Sequence, residues 1–353
     1  RWIESGANYE GFWAFEPPVV SSKPVVKDKS WSQQQIDLYV LRKLESVGWS
    51  PAAEADLRTL IRRVTFDLTG LPPTRSEIAQ FLEEHGRAPD RAWEQLVDRL
   101  LARPQYGEHV GRYWLDLVRF ADSNGMHKDF YRNHVAYRDW VIRAFNGNLG
   151  YDDFLRYQLA GDLYPQPSRD QLIASGFNRL HLIIDVGTAL PEESFSKNVI
   201  DRVTSVGTAF MGLTVHCAQC HDHKFDPITQ RDFYSLSAFF NNIDAEPETV
   251  SRRGPKQGLQ PPFISLATPE QQEQLDQFDQ AIAQLTAMKK LAADVEADEE
   301  LLAFSKRLEQ ERMKFDDSIP KAMVMKERQT VRPSFILERG QYDAPGEQVA
   351  RNA

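Results

Sequence analysis

The chain has 353 residues, 41% hydrophobic and 26% charged, with a formal net charge of −9. That size leaves room for a core able to enclose a prosthetic group, and an acidic balance without long Lys/Arg clusters excludes a nucleic-acid backbone as the default partner. Its two cysteines exclude a disulfide framework, and no apolar run approaches the roughly eighteen residues of a membrane span.

Arg1 opens the chain with neither an initiator Met nor a signal-peptide pattern, as expected of a processed or excised piece. Residues 1–30 carry prolines without helical periodicity and read as an extended strap. Helices then follow closely. Ser32 is placed to cap one carrying Ile36, Val40, Leu41 and Leu44, and Ser50-Pro51 to open another carrying Leu57, Leu60, Ile61 and Val64. Thr74 and Glu77 form a capping box before Ile78, Phe81 and Leu82, and Asp90 precedes Trp93, Leu96, Val97 and Leu100. Pro104 breaks that pattern. Val110, Trp114 and Leu117 then mark a helix over about 105–120, ended by a polar loop at 122–129.

Val135, Trp140, Val141 and Phe145 mark a helix that stops at Asn146-Gly147, and Ser168 with Gln171 caps a short one ending at Gly176. Val199, Val203, Val206, Phe210 and Leu213 predict one buried-face helix over about 192–213, delivering the chain to its cysteines. Thr229 to Asp232 caps a helix whose Phe233, Leu236, Phe239 and Phe240 form an apolar stripe, read as core and in part as a pocket wall. From 268 to about 315, a Gln/Glu/Lys/Ala/Leu-rich stretch predicts a helical hairpin, and strand signals are confined to 322–325 and 335–337. The expected fold class is mainly α, a multi-helix domain with a helical hairpin and a small β ribbon near the C-terminus.

Cys217-Ala218-Gln219-Cys220-His221 fits the attachment pattern of haem c. The spacing has a chemical reason: two thiols add across two haem vinyl groups, and the next residue offers an imidazole nitrogen to the iron. Two other readings of the same residues stay open. One is zinc held by Cys217, Cys220 and one of His216, His221 or His223, for which the sequence offers no Cys or His beyond His223. The other is a redox dithiol, whose usual βαβ surroundings are missing from this helical neighbourhood.

The run Cys217-Ala218-Gln219-Cys220-His221-Asp222-His223-Lys224-Phe225-Asp226-Pro227-Ile228 resembles the second cytochrome-like domain of the planctomycete-type cytochrome c family. Phe66-Asp67-Leu68-Thr69-Gly70-Leu71-Pro72-Pro73-Thr74, Trp114-Leu115-Asp116-Leu117, Tyr137-Arg138-Asp139-Trp140-Val141-Ile142, Gln158-Leu159-Ala160-Gly161-Asp162-Leu163 and Phe239-Phe240-Asn241-Asn242 are similar to it too. The likeness covers roughly 12–245. It implies a cytochrome c domain before this chain and a large C-terminal domain after it. The division that follows is a strap at 1–30, a helical haem domain at 31–245, a helical hairpin at 246–320 and a short β segment at 321–353. Tyr113 stands where the family usually has His, and Ile183-Ile184-Asp185-Val186-Gly187 replaces a more acidic, Gly-rich run.

The function expected is covalent haem binding for electron transfer outside the cytoplasm, in a periplasm, as a carrier or as the redox module of a larger oxidoreductase. Its partner is a redox protein or an attached cytochrome domain. An alternative is a haem enzyme whose open iron oxidises a carbohydrate-like substrate, since the family resemblance implies polysaccharide-degrading systems. A second alternative is a zinc-stabilised interaction module. For the sixth iron position, Met288, Met313, Met323 and Met325 fall in the hairpin or the ribbon, and Met211 and His216 lie close to the motif itself. The distant loop carrying Met126 and His127 is the better source, the other option being no protein ligand. His223 and Asp226 are placed either to orient His221 or bind a cation, or to hold the turn before Pro227; Asp222 shares the ambiguity. Asp116, Asp122, Lys128, Asp129, Glu192, Glu193, Asp201 and Arg202 are candidate proton carriers or simple caps and ion pairs.

Overall fold

A computed structural model describes residues 13–31, 34–125, 129–183, 190–245, 258–291 and 299–352. The described chain is mainly α, as its periodicity predicts, and divides into two compact units, Arg1–Leu60 and Ile61–Ala353. The predicted cap at Ser32, the loop at 126–128 and the segment 184–187 lie outside the described residues.

In the first unit the described part of the strap, 13–30, is extended apart from one short 3₁₀ turn, Trp13–Phe15, and residues 1–12 lie outside the described residues. It is fastened to α1 (Gln35–Ser46) where the Glu45 carboxylate accepts the backbone N–H groups of Lys27 at 2.9 Å and Asp28 at 3.0 Å. α2 (Leu57–Thr69) does not open at Ser50-Pro51. Its start is set by Asp56, whose Oδ1 accepts the N–H groups of Arg58 and Thr59 at 3.0 and 3.1 Å and outcompetes the proline signal.

The second unit contains α3 (Arg75–Arg87) and α4 (Pro89–Leu101), joined by the Phe81–Trp93 ring contact at 4.6 Å. The Thr74/Glu77 capping box is formed. Pro104 does not interrupt a helix but begins one, α5 (Pro104–Leu117), at the first position, where a missing N–H costs nothing. α5 crosses α6 (Val135–Asn146) closely because Gly107 and Gly111 present no side chain to Ile142, and Asn146 Oδ1 accepts the Gly107 N–H at 2.8 Å.

α7 (Tyr151–Ala160), which no sequence signal announced, sends Phe154 into a stack on Trp140 at 5.3 Å and 11°. Each such buried ring contributes about 1.5–3 kcal/mol. Beside them Gln158 Oε1 accepts from Tyr137 at 2.6 Å and from Trp114 Nε1 at 3.1 Å, so the buried polar atoms are matched. Burial pushes the Tyr137 hydroxyl pKa upward.

α8 (Arg169–Ala174) follows the Ser168/Gln171 capping box, and α9 (Pro191–Val206) is the buried-face helix. It is shorter than predicted. The chain leaves it in one wide π turn, Gly207–Met211, and Leu213 N then bonds back to Gly207 O at 2.9 Å. A Cβ at Gly207 would meet Val215 at 2.6 Å, so this glycine lets the chain fold back where the apolar repeat alone would continue a helix.

α10 (Gln230–Phe240) begins at the predicted Thr229/Asp232 capping box. Of its aromatic stripe Phe233 and Phe240 are buried and Phe239 is half-exposed, and Leu236, Phe239 and Phe240 line an apolar cavity of about 460 Å³ with Phe210 and Met211. The helical hairpin is formed by α11 (Pro269–Leu291) and α12 (Glu299–Ser318), joined by Arg312–Asp279 at 2.7 Å and by Phe278 against Phe315.

Strands β2 (Lys321–Met323) and β3 (Ser334–Leu337) fall on the predicted signals, and each finds an antiparallel partner the sequence did not announce. These are β1 (Phe263–Ser265), with Ile264 opposite Ala322, and β4 (Pro345–Val349), with Ser334 opposite Val349. Among the described residues no helix is long and apolar enough to cross a membrane.

Candidate functional site

After the wide turn, Gly212 takes a left-handed conformation, φ 66°, and turns the chain into a short 3₁₀ helix, Val215–Gln219. Three residues per turn put positions i and i+3 on one side. Val215 and Ala218 therefore point together into the core, at 3% and 0% exposure, and Cys217 and Cys220 come to the outside. Both thiols are free and exposed.

His221 is exposed as well, and its Nδ1 lies 2.8 Å from the Asp222 carbonyl oxygen. A carbonyl only accepts, so Nδ1 carries the proton and Nε2 keeps the lone pair a metal would take. His216 is engaged elsewhere. Thr204 Oγ1 donates to Ile200 O at 2.8 Å, which leaves it to accept from His216 Nδ1 at 3.1 Å. His223 holds the turn: its Nδ1 accepts the Asp226 N–H at 2.8 Å, and its backbone N–H donates to Ile228 O at 2.8 Å. The three imidazoles thus serve three separate local bonds. Among the described residues no group of three or more His, Cys, Asp or Glu is gathered to hold a metal ion.

The motif is clamped from α10, which the sequence reading missed because Gln230 and Tyr234 look like ordinary surface residues. One helical turn apart, both donate to Gln219 O, Gln230 Nε2 at 3.0 Å and Tyr234 Oη at 2.9 Å. Burial, and secondarily the nearby Cys220, push the Tyr234 pKa upward. Asp222 Oδ1 accepts the Gln230 N–H at 2.8 Å, so this carboxylate ties the loop to the helix start. From the ribbon, Gly340 O accepts Gln219 Nε2 at 3.3 Å.

A cleft of about 520 Å³ adjoins the motif turn, between His216 and Gln219 on one side and Leu117, Arg119, Lys197 and Ile200 on the other. This falls within the 300–1,000 Å³ range of small-molecule sites. Four of the remaining charged candidates lie in structural roles, and Lys128 lies outside the described residues. Asp129 closes its loop by accepting the Gly125 N–H at 2.7 Å, and hydrogen bonds from Ser123 and Gly125 lower its pKa. Glu193 pairs with Lys197 on the surface, Asp201 pairs with Arg119, and Arg202 is fully buried, its Nε on Asn178 O at 2.7 Å. Met126 and His127 lie outside the described residues.

Neither a comparison with curated proteins nor one with solved structures gave a match. Residues 35–245, more than half of the chain, match the family model PSCyt2, described as a protein of unknown function (DUF1549). By that match, the chain belongs to the PSCyt2 family.

Proposed function

We propose that this chain binds one haem c covalently through Cys217 and Cys220, that His221 would hold its iron, and that the protein works in electron transfer. The observation that carries the reading is the disposition of the motif: two free thiols on the outer side of one 3₁₀ turn, followed by an imidazole whose Nδ1 is pinned and whose Nε2 is not. Haem held there supplies a one-electron ferric/ferrous couple. The residues around it set its surroundings. Val215 and Ala218 anchor the turn in the core, Gln230 and Tyr234 fix its carbonyl, and the Asp222 carbonyl sets the tautomer and orientation of His221.

Zinc is the weaker reading, because among the described residues no group of three or more His, Cys, Asp or Glu is gathered to complete a set with Cys217 and Cys220. A protein with haem c is matured outside the cytoplasm, so a periplasmic setting belongs to this proposal, as does a redox partner protein or an attached cytochrome domain. The protein then acts as a carrier or as the redox module of a larger oxidoreductase. Absorption spectra of oxidised and reduced protein test the assignment. A Soret band with the sharp visible bands of a reduced c-type haem is expected, and His221→Ala should keep the covalent haem while changing its ligation spectrum. Absence of haem absorption, with one zinc per chain, would overturn the reading.

A further inference from the structure

The helix bordering the cleft ends on a residue that its backbone disfavours. α5 closes in a Schellman arrangement, Arg119 N donating to Asp116 O at 3.0 Å and Phe120 N to Leu115 O at 2.8 Å. Its left-handed position, φ 56°, is ordinarily given to glycine, and here it is Arg119. A side chain retained where the backbone is strained points to a use for that side chain. Its guanidinium is incompletely engaged: Nη1 donates to Val118 O at 3.2 Å, Nη2 meets Asp201, and the buried Nε has no partner among the described residues. An anion entering the cleft would improve that hydrogen bonding.

Lys197, itself exposed, lines the same cleft, one turn before Asp201 on α9, and among the described residues its ammonium meets only the half-buried carboxylate of Glu193, at 2.6 Å. Counting Arg119 and Lys197 against Asp201, the cleft lining carries a formal charge of +1 in a chain of net charge −9. Leu117 and Ile200 give it apolar surface, which it shares with the short side chains of Thr204, Ser205 and Thr208. Positive charge beside apolar surface, adjoining the cysteine turn, fits a ligand with carboxylates at one edge of an apolar body.

We propose that Arg119, assisted by Lys197, binds the propionate carboxylates of the haem tethered at Cys217 and Cys220; this rests on the haem reading above. Arg119 is then a positioning residue that also sets the charge beside the haem, and Asp201 competes with the propionates for its guanidinium.

The test uses the chain matured with haem in a periplasm, with intact mass recorded for every variant so that haem attachment is read separately. Arg119→Gly relieves the left-handed strain, so the fold is kept and its thermal midpoint should rise. With the mass increment present, R119G should shift the propionate-bending band in the resonance Raman spectrum and lower the midpoint potential. R119K should restore most of the potential, and Asp201→Asn should move the band the opposite way. If the mass increment is present and R119G leaves band and potential unchanged, the propionate assignment falls while the haem reading stands. If the unsubstituted chain carries no haem, both fall together.

Discussion

Gln219 and Gly340 lie 121 positions apart, yet Gln219 Nε2 donates to Gly340 O at 3.3 Å, fastening the cysteine turn to the C-terminal ribbon. Gly340 has φ 75°, and a Cβ there would lie 2.8 Å from Gln219 Nε2 and 3.0 Å from Cys220 Sγ. Gly340→Ala should therefore destabilise the fold by about 1–2 kcal/mol and alter the rate at which Cys220 is alkylated. Gly212→Ala is the control: φ is 66° but a Cβ would meet nothing within 4 Å, so strain alone is added. Denaturation midpoints and thiol-modification rates of the two variants separate contact from strain. Equal effects on Cys220 in both would show the Gly340 contact irrelevant.

Arg179 is fully buried and gathers four carbonyls: Pro262 O at 2.9 Å and Val324 O at 3.1 Å on Nη1, Gln260 O at 3.1 Å and Pro261 O at 3.3 Å on Nη2. Arg179→Met strands these acceptors away from water and should cost about 3–5 kcal/mol. Arg156→Met removes an exposed pair with Asp152 and should cost under about 0.5 kcal/mol. Urea midpoints compare them, and similar losses would contradict the burial argument.

His181 is buried, and burial first, then the charges of Arg202, Arg132, Arg179 and Arg119, hold its pKa well below the ordinary 6.5. Below that pH the unfolded chain takes up a proton that the folded protein refuses. The contribution of His181 to stability therefore falls as pH drops through 6.5, by up to about 1.4 kcal/mol per pH unit. Denaturant midpoints between pH 7.5 and 5 should show the decline in the parent and a shallower one in His181→Gln. Parallel profiles would assign the decline to other groups.

Much of this was legible because it is local. The capping boxes at Thr74, Ser168 and Thr229 need only residues three apart, and the hairpin needs only composition. The cysteine motif is likewise contiguous. What escaped depends on distant partners. α7 starts at Gly150 without a side-chain cap and buries Gln158, whose Nε2 bonds within the helix to Phe154 O but whose Oε1 is satisfied by Tyr137 and Trp114 from other helices. β1 and β4 acquire strand character from β2 and β3 across the ribbons. Arg179 carries no sequence signal and Arg202 reads as a proton carrier or a simple cap or ion pair, because their acceptors are carbonyls that only the fold brings to them. Arg119 gave no signal, since nothing in its neighbours tells that it stands where a glycine would.

The sixth iron position is proposed to come from the Met126–His127 loop or to have no protein ligand. α5 ends at the cleft beside the motif, with Leu117 and Arg119 in its wall, and the loop follows within a few residues. Changing Met126 and His127 together to Ala should turn a low-spin spectrum high-spin. A low-spin spectrum that survives the double change would remove the loop as ligand. A parent that is already high-spin would favour an open iron and an oxidising enzyme acting on a carbohydrate-like substrate.

The most direct test of the central claim is the intact mass of this chain matured in a periplasm. The account predicts a mass above that of the polypeptide by one haem, resistant to denaturation and lost when Cys217 and Cys220 are both changed to Ala. A bare polypeptide mass, or one zinc per chain with no haem increment, would contradict it.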